Sequence, residues 1–123
     1  MQILVVEDHE DTRNVLERFF VRCGFDVSSA ATLEEGLQFL QTKPFDAIVS
    51  DIALSDGTGY ALISEARRRG IAALAIALSA YSFPADVEEA KVTGFDYHVQ
   101  KPFDCAHLRS LLEQRTGETV PPI

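Results

Sequence analysis

Apolar positions along this chain follow two periods that alternate from one end to the other. Short runs at Ile3–Val6, Phe25–Ala30, Ala47–Val49, Ala73–Leu78 and Phe95–Gln100 predict five strands. The run at Ala47–Val49 leads directly into Ser50-Asp51, and the run at Ala73–Leu78 is apolar throughout, so both are expected deep in a sheet. Between the runs, apolar residues recur three and four apart. Val15, Leu16, Phe19, Phe20 and Cys23 predict one face of a helix from about Glu10 to Cys23, and Leu33, Leu37 and Leu40 mark a second. Tyr60, Ile63 and Ala66 or Arg67 mark a third helix, and Leu108, Leu111 and Leu112 a last one. Pro84 suits the first turn of a fourth, with Asp86, Glu88 and Glu89 near its positive end.

The punctuation agrees with these periods. Gly24, Gly70 and Gly94 stand where helices would stop, Thr32-Leu33-Glu34-Glu35 fits a capping box, and Asp104 fits an N-cap. Lys43-Pro44 ends the second helix. Thr116 to Ile123, with two prolines, reads as a frayed tail, leaving residues 1–115 as one domain without linker or repeat. Strict alternation of strand and helix predicts an α/β fold. The expected architecture is a doubly wound (βα)5, flavodoxin-like sandwich with a parallel five-stranded sheet in the order 2-1-3-4-5. That order sets the first and third strands side by side at the switch point.

Composition narrows the function without naming it. The 123 residues suffice for one buried core, and a net charge of −8 argues against direct nucleic-acid binding. The one basic cluster, Arg67-Arg68-Arg69, precedes Gly70 and suits a helix C-terminus. Cys23 and Cys105 share no metal-ligand spacing and read as reduced, structural thiols; His9, His98 and His107 are too scattered for a metal site. No signal peptide is apparent and the longest apolar run, Ile71 to Leu78, is too short to span a bilayer. The expectation is a cytoplasmic protein without membrane insertion.

The chemistry lies at the strand ends. Strand one ends in Glu7-Asp8, strand three in Asp51, strand four in Ser79 and strand five at Lys101, and the proposed order brings all of these to one sheet edge. Crowded carboxylates repel, so such a site needs a cation, and hard oxygen ligands select Mg²⁺. A carboxylate there can attack phosphorus and form an aspartyl phosphate. The phosphoryl oxygens then need positive partners, which Mg²⁺, the Lys101 ammonium and the Ser79 hydroxyl with backbone N–H groups would provide.

With these residues in place, the chain resembles the receiver domain of two-component response regulators over nearly its whole length. The matching pieces are Ile3-Leu4-Val5-Val6-Glu7-Asp8, Asp51 with Leu54 and Asp56-Gly57-Thr58-Gly59, Ser79-Ala80, and Lys101-Pro102-Phe103. The resemblance implies that Asp51 accepts a phosphoryl group from a phosphohistidine on a sensor histidine kinase or histidine phosphotransfer protein. It implies direct Mg²⁺ ligation by Asp8, Asp51 and the backbone carbonyl of Ala53, with Glu7 acting through water. It further implies pairing of Lys101 with the phosphoryl oxygens, a cis Lys101-Pro102 bond, and a switch through Ser79 and His98. That switch would remodel the face of the fourth helix, fifth strand and fifth helix, through which a homodimer is left open. Ala53 and Tyr81 occupy positions that tune phosphoryl lifetime in the family.

Two departures stand out. Ser55 replaces a common proline, which loosens the loop after Asp51, and His98 stands where Tyr or Phe is usual. The segment Gly94-Phe95-Asp96-Tyr97-His98 looks like receivers attached to hybrid sensor kinases. Rival readings fit less well. A haloacid-dehalogenase-type phosphatase needs a second Asp where Glu10 stands, and the acidic first loop would repel a flavin phosphate. A pseudo-receiver would not need the full acidic set with Ser79 and Lys101. The expectation is a phosphorylatable switch that catalyses only its own phosphorylation and dephosphorylation, not a metabolic enzyme.

Overall fold

A computed structural model describes residues 1–80 and 84–116. Its five-stranded sheet is parallel throughout and runs β2 (Asp26–Ala30), β1 (Gln2–Val6), β3 (Ala47–Asp51), β6 (Leu74–Ser79), β7 (Tyr97–Gln100). Counting the strands of this sheet alone, that is the expected order 2-1-3-4-5. A two-residue ribbon, β4 (Ala53–Leu54) paired antiparallel with β5 (Gly57–Thr58), follows β3 and has no counterpart in the sequence expectation. The helices are α1 (Glu10–Arg22), α2 (Leu33–Thr42), α3 (Gly59–Arg68), α4 (Pro84–Thr93) and α5 (Cys105–Thr116).

Every residue of β3 and β6 is buried, as their continuous apolar runs require for strands covered on both faces. The strand period of two divides the core. Ile3, Val5, Val49, Ile76 and Leu78 face Leu16 and Phe20 of α1 and Leu108 and Leu112 of α5. Leu4, Val6, Ile48, Ala75 and Ala77 join Leu40 of α2, Leu62 and Ile63 of α3 and Ala90 of α4 in the opposite layer. Side chains such as Phe20 and Leu62, fully out of water, each contribute about 1.5–3 kcal/mol of hydrophobic stabilisation. This two-sided burial holds the strand ends at one level.

Helix ends form where the sequence marks them. Thr32 Oγ1 accepts a hydrogen bond from the Glu35 N–H at 3.1 Å, and Asp104 Oδ1 accepts from the Ala106 N–H at 2.9 Å. Gly24, Gly70 and Gly94 sit at φ of +90°, +78° and +112°, the left-handed conformation that ends a helix without strain only for glycine.

The structure corrects several expectations. Val15 is not a core residue: it is 47% exposed, because it lies about 100° around α1 from Leu16 while Phe20 and Cys23 fall close to it. The fifth sheet strand begins at Tyr97, not Phe95. Phe95 instead folds into the layer of α3 and α4, and the Asp96 N–H bonds the Ala75 carbonyl before the ladder starts. The fourth begins at Leu74, not Ala73. α5 ends at Thr116, the first residue of the expected tail, and residues 117–123 lie outside the described residues. Cys23 and Cys105 are both free thiols, and burial pushes each above its ordinary pKa. Among the described residues no helix is long and apolar enough to cross a membrane.

Candidate functional site

Glu7 and Asp8 follow β1, Asp51 and Ser79 end β3 and β6, and Lys101 follows β7, so parallel register delivers all five to one edge. The register is fixed beyond the ladders themselves. The Ile52 N–H bonds the Leu78 carbonyl at 3.0 Å, the Lys101 N–H bonds the Ser79 carbonyl at 2.7 Å, and the Glu7 N–H bonds the Ala30 carbonyl at 3.0 Å.

Oxygen atoms of Glu7, Asp8 and Asp51 lie within 4.8 Å of one another. Glu7 is 1% exposed and Asp51 7%, whereas Asp8 is open to solvent. The Lys101 ammonium bridges the two buried acids, 2.9 Å from Asp51 Oδ2 and 3.1 Å from Glu7 Oε2. Burial raises the Glu7 carboxyl above its ordinary pKa of 4.5, the Asp51 charge adds to this, and Lys101 offsets part of it. Burial pulls the Lys101 ammonium down, but its bonds and charge interactions with Asp51 and Glu7 outweigh this and leave its pKa above 10.5. Three carboxylates against one ammonium leave a net negative pocket of oxygen donors, a set that suits a hard divalent cation.

Beside the acids a cavity of about 250 Å³ is lined by Asp51, Ala53, Ser79 and Lys101, together with Tyr60 of α3 and Glu89 of α4. The Lys101-Pro102 bond is cis, as expected. His98, on β7 opposite Ala77, is half-buried, and among the described residues its Nε2 is buried without a hydrogen-bond partner. Tyr81 lies outside the described residues.

Sequence reasoning missed three supports. Arg13 reaches back from α1 to donate to the Glu7 carbonyl at 3.0 Å; its place on the first turn of α1 was its one local signal. Gly59 packs so tightly that a Cβ there would fall 2.4 Å from the Asp51 carbonyl oxygen. Asp56 accepts from the Leu33 and Glu34 N–H groups at the start of α2. The Asp56-Gly57-Thr58-Gly59 stretch contained both of these last residues, but nothing local reveals what they touch.

Comparison with known proteins agrees with this geometry. The family profile described as "Response regulator receiver domain" matches residues 3–113. A 14.6 kDa protein of Leptolyngbya boryana, described as uncharacterized, is 35% identical over 93% of this chain and 88% of its own length. The KDP operon transcriptional regulatory protein KdpE of Escherichia coli is 34% identical over 97% of this chain, which spans 54% of KdpE. Among solved structures, the receiver domain of a Pseudomonas aeruginosa sensor histidine kinase, described with a magnesium ion coordinated in its active site cleft, superposes with a TM-score of 0.83. It is 28% identical, over 95% of this chain and 98% of that one. With its fold, its acidic edge and a profile match over nearly all of its length, the chain belongs to the response regulator receiver domain family.

Proposed function

We propose that Asp51 is the phosphoryl acceptor of this receiver and that a phosphohistidine on a sensor histidine kinase or histidine phosphotransfer protein is the donor. The observation that carries the reading is the grouping of Glu7, Asp8 and Asp51, with the Lys101 ammonium between Glu7 and Asp51, at the carboxyl edge of a parallel sheet. Asp8, Asp51 and the Ala53 carbonyl would hold Mg²⁺, with Glu7 reaching it through water. A bound ion would supply positive charge that offsets the repulsion between these carboxylates and an incoming phosphoryl group.

An Asp51 carboxylate oxygen attacks phosphorus, the bond to the histidine nitrogen breaks, and the ring leaves with that electron pair and takes up a proton. Lys101 then exchanges its bond to Asp51 for one to a phosphoryl oxygen, and Ser79 donates its hydroxyl to another. The Lys101 N–H bond to the Ser79 carbonyl keeps these two partners in fixed relation. Movement of Ser79 would pass to His98, whose Nε2 is buried without a hydrogen-bond partner among the described residues. The face of α4, β7 and α5 would then be remodelled for a downstream partner.

A protein donor also accounts for the exposed Val15. An apolar groove of about 530 Å³, lined by Asp11, Thr12, Val15, Pro102, Phe103 and Cys105, shares Lys101 with the site and would seat the phosphohistidine-bearing protein. Catalysis is confined to the domain's own phosphorylation and dephosphorylation.

The test is Mg²⁺-dependent binding of fluoroberyllate, a phosphoryl mimic, to the wild type and to Asp51→Ala, followed by intact mass after incubation with a phosphodonor. Binding and an added phosphoryl mass in the wild type, both lost in the variant, are expected. A folded wild type that binds no fluoroberyllate in Mg²⁺ overturns the reading.

A further inference from the structure

We propose that Asp56 is a positioning residue for the metal-binding loop, tying the tip of the β4–β5 ribbon, which carries Ala53, to the N-terminus of α2. The inference rests on the reading that the Ala53 carbonyl ligates the metal.

The ribbon is a small device held at both ends. At its base the Gly59 N–H bonds the Ile52 carbonyl at 2.8 Å, and along it Ala53 pairs with Thr58 and Leu54 with Gly57. At its tip Asp56 leaves the ribbon. Its Oδ1 accepts from the Leu33 N–H at 2.8 Å and its Oδ2 from the Glu34 N–H at 3.0 Å. These are the first two residues of α2, and Thr32 Oγ1 takes the Glu35 N–H, so three of the four amides that a helix start leaves open are satisfied. Two of the three depend on a residue more than twenty positions further along the chain. A negative side chain at this end also meets the positive pole of the helix.

The contact is close as well as polar. A Cβ added to Gly57 would fall 2.5 Å from Leu33 Cδ2, so the Leu33 side chain lies directly against the ribbon. Leu33 in turn packs against the core layer that contains Val6 and Ile48, which anchors the contact to the sheet. The bidentate grip of Asp56 restrains the ribbon from outside. Ala53 thus sits between two fixed points, the end of β3 and the start of α2.

A capping role alone makes a different prediction, which sets the experiment. Mg²⁺ is titrated into the full chain and followed by amide NMR shifts at Asp8 and Ala53, for the wild type, Asp56→Ala, Asp56→Asn and Thr32→Ala. Urea unfolding in EDTA gives each variant's stability. Asp56→Ala is expected to weaken Mg²⁺ binding about tenfold, the lower end of what loss of a supporting residue costs a metal site. Asp56→Asn, whose single amide oxygen can accept from one N–H while its NH₂ cannot, is expected to fall between. Thr32→Ala removes a cap from the same helix start without touching the ribbon, so it should lose stability yet keep its Mg²⁺ affinity. Linkage adds a readout independent of affinity: Mg²⁺ should slow hydrogen exchange at Leu33 and Glu34 in the wild type. Unchanged affinity in a folded Asp56→Ala, or an equal loss in Thr32→Ala, overturns the proposal. A wild type that binds neither Mg²⁺ nor fluoroberyllate overturns the underlying reading itself.

Discussion

Replacing Lys101 with Met keeps the aliphatic stem and removes the positive charge that bridges Glu7 and Asp51. Both acids are then left under the surface, Glu7 with 1% of its area exposed. Two outcomes are open to the metal-free protein. Both acids can stay ionised, which costs about 3–5 kcal/mol when one member of a buried pair is removed. Alternatively Glu7 can bind a proton. Keeping a carboxyl of ordinary pKa 4.5 neutral at pH 7 costs about 3.4 kcal/mol, at about 1.36 kcal/mol per pH unit. Burial and the Asp51 charge already push the Glu7 carboxyl upward, so protonation is the cheaper route. Loss of roughly 3 kcal/mol at pH 7 is therefore expected, shrinking below about 1 kcal/mol at pH 5, where half a unit of protonation remains to be supplied. Urea unfolding of wild type and Lys101→Met in EDTA at the two pH values measures it. In the Glu7→Gln background the same substitution should cost much less. A Lys101→Met protein as stable as wild type at pH 7, or a deficit that does not shrink on acidification, would refute the reasoning.

Gly59→Ala places a methyl group 2.4 Å from the Asp51 carbonyl oxygen and 3.0 Å from Ser50 Oγ. Since backbone must give way, a stability loss of about 1–3 kcal/mol in urea unfolding and weaker Mg²⁺ binding are expected. Arg67 donates to the Gly94 carbonyl at 2.8 Å and the Ile71 carbonyl at 2.8 Å, so Arg67→Met should cost about 1–3 kcal/mol and speed hydrogen exchange at Phe95 and Asp96. The Leu33 and Glu34 N–H groups hold the Asp56 carboxyl below its ordinary 3.8. A lowered folded-state pKa adds stability above the unfolded value that is lost as pH falls through the folded one. The wild type should therefore exceed Asp56→Asn in stability above pH 3.8, and the difference should fade below it in acid titration by circular dichroism. A constant difference down to the acid transition would show that the charge of Asp56 is not what matters.

The sequence by itself determined the element order and the chemistry of the edge. Its two apolar periods are properties of neighbouring residues, and five apolar runs alternating with four amphipathic stripes and a proline-led helix start leave few ways to fold other than a parallel sheet covered on both sides. Because parallel strands all point one way, residues that follow the runs must gather at one edge, and Glu7, Asp8, Asp51, Ser79 and Lys101 do so. Helix ends at Gly24, Gly70 and Gly94 were legible for the same reason: the conformation is set locally by the missing Cβ.

Only the tertiary structure decided what depends on contacts distant in sequence. Val15 counts as apolar in any helical stripe, and its exposure follows from which arc of α1 the sheet covers. Phe95 suits a strand by composition, but the layer of α3 and α4 offers it a buried site two residues before the ladder begins. Lys101 pairs with both Glu7 and Asp51, a bridge that joins the end of the chain to its beginning and that no local pattern announces. Arg13 on the Glu7 carbonyl and Asp56 on the start of α2 belong to the same class. Periodicity reports which face a residue prefers; which partner meets it there is fixed only when the helices dock on the sheet.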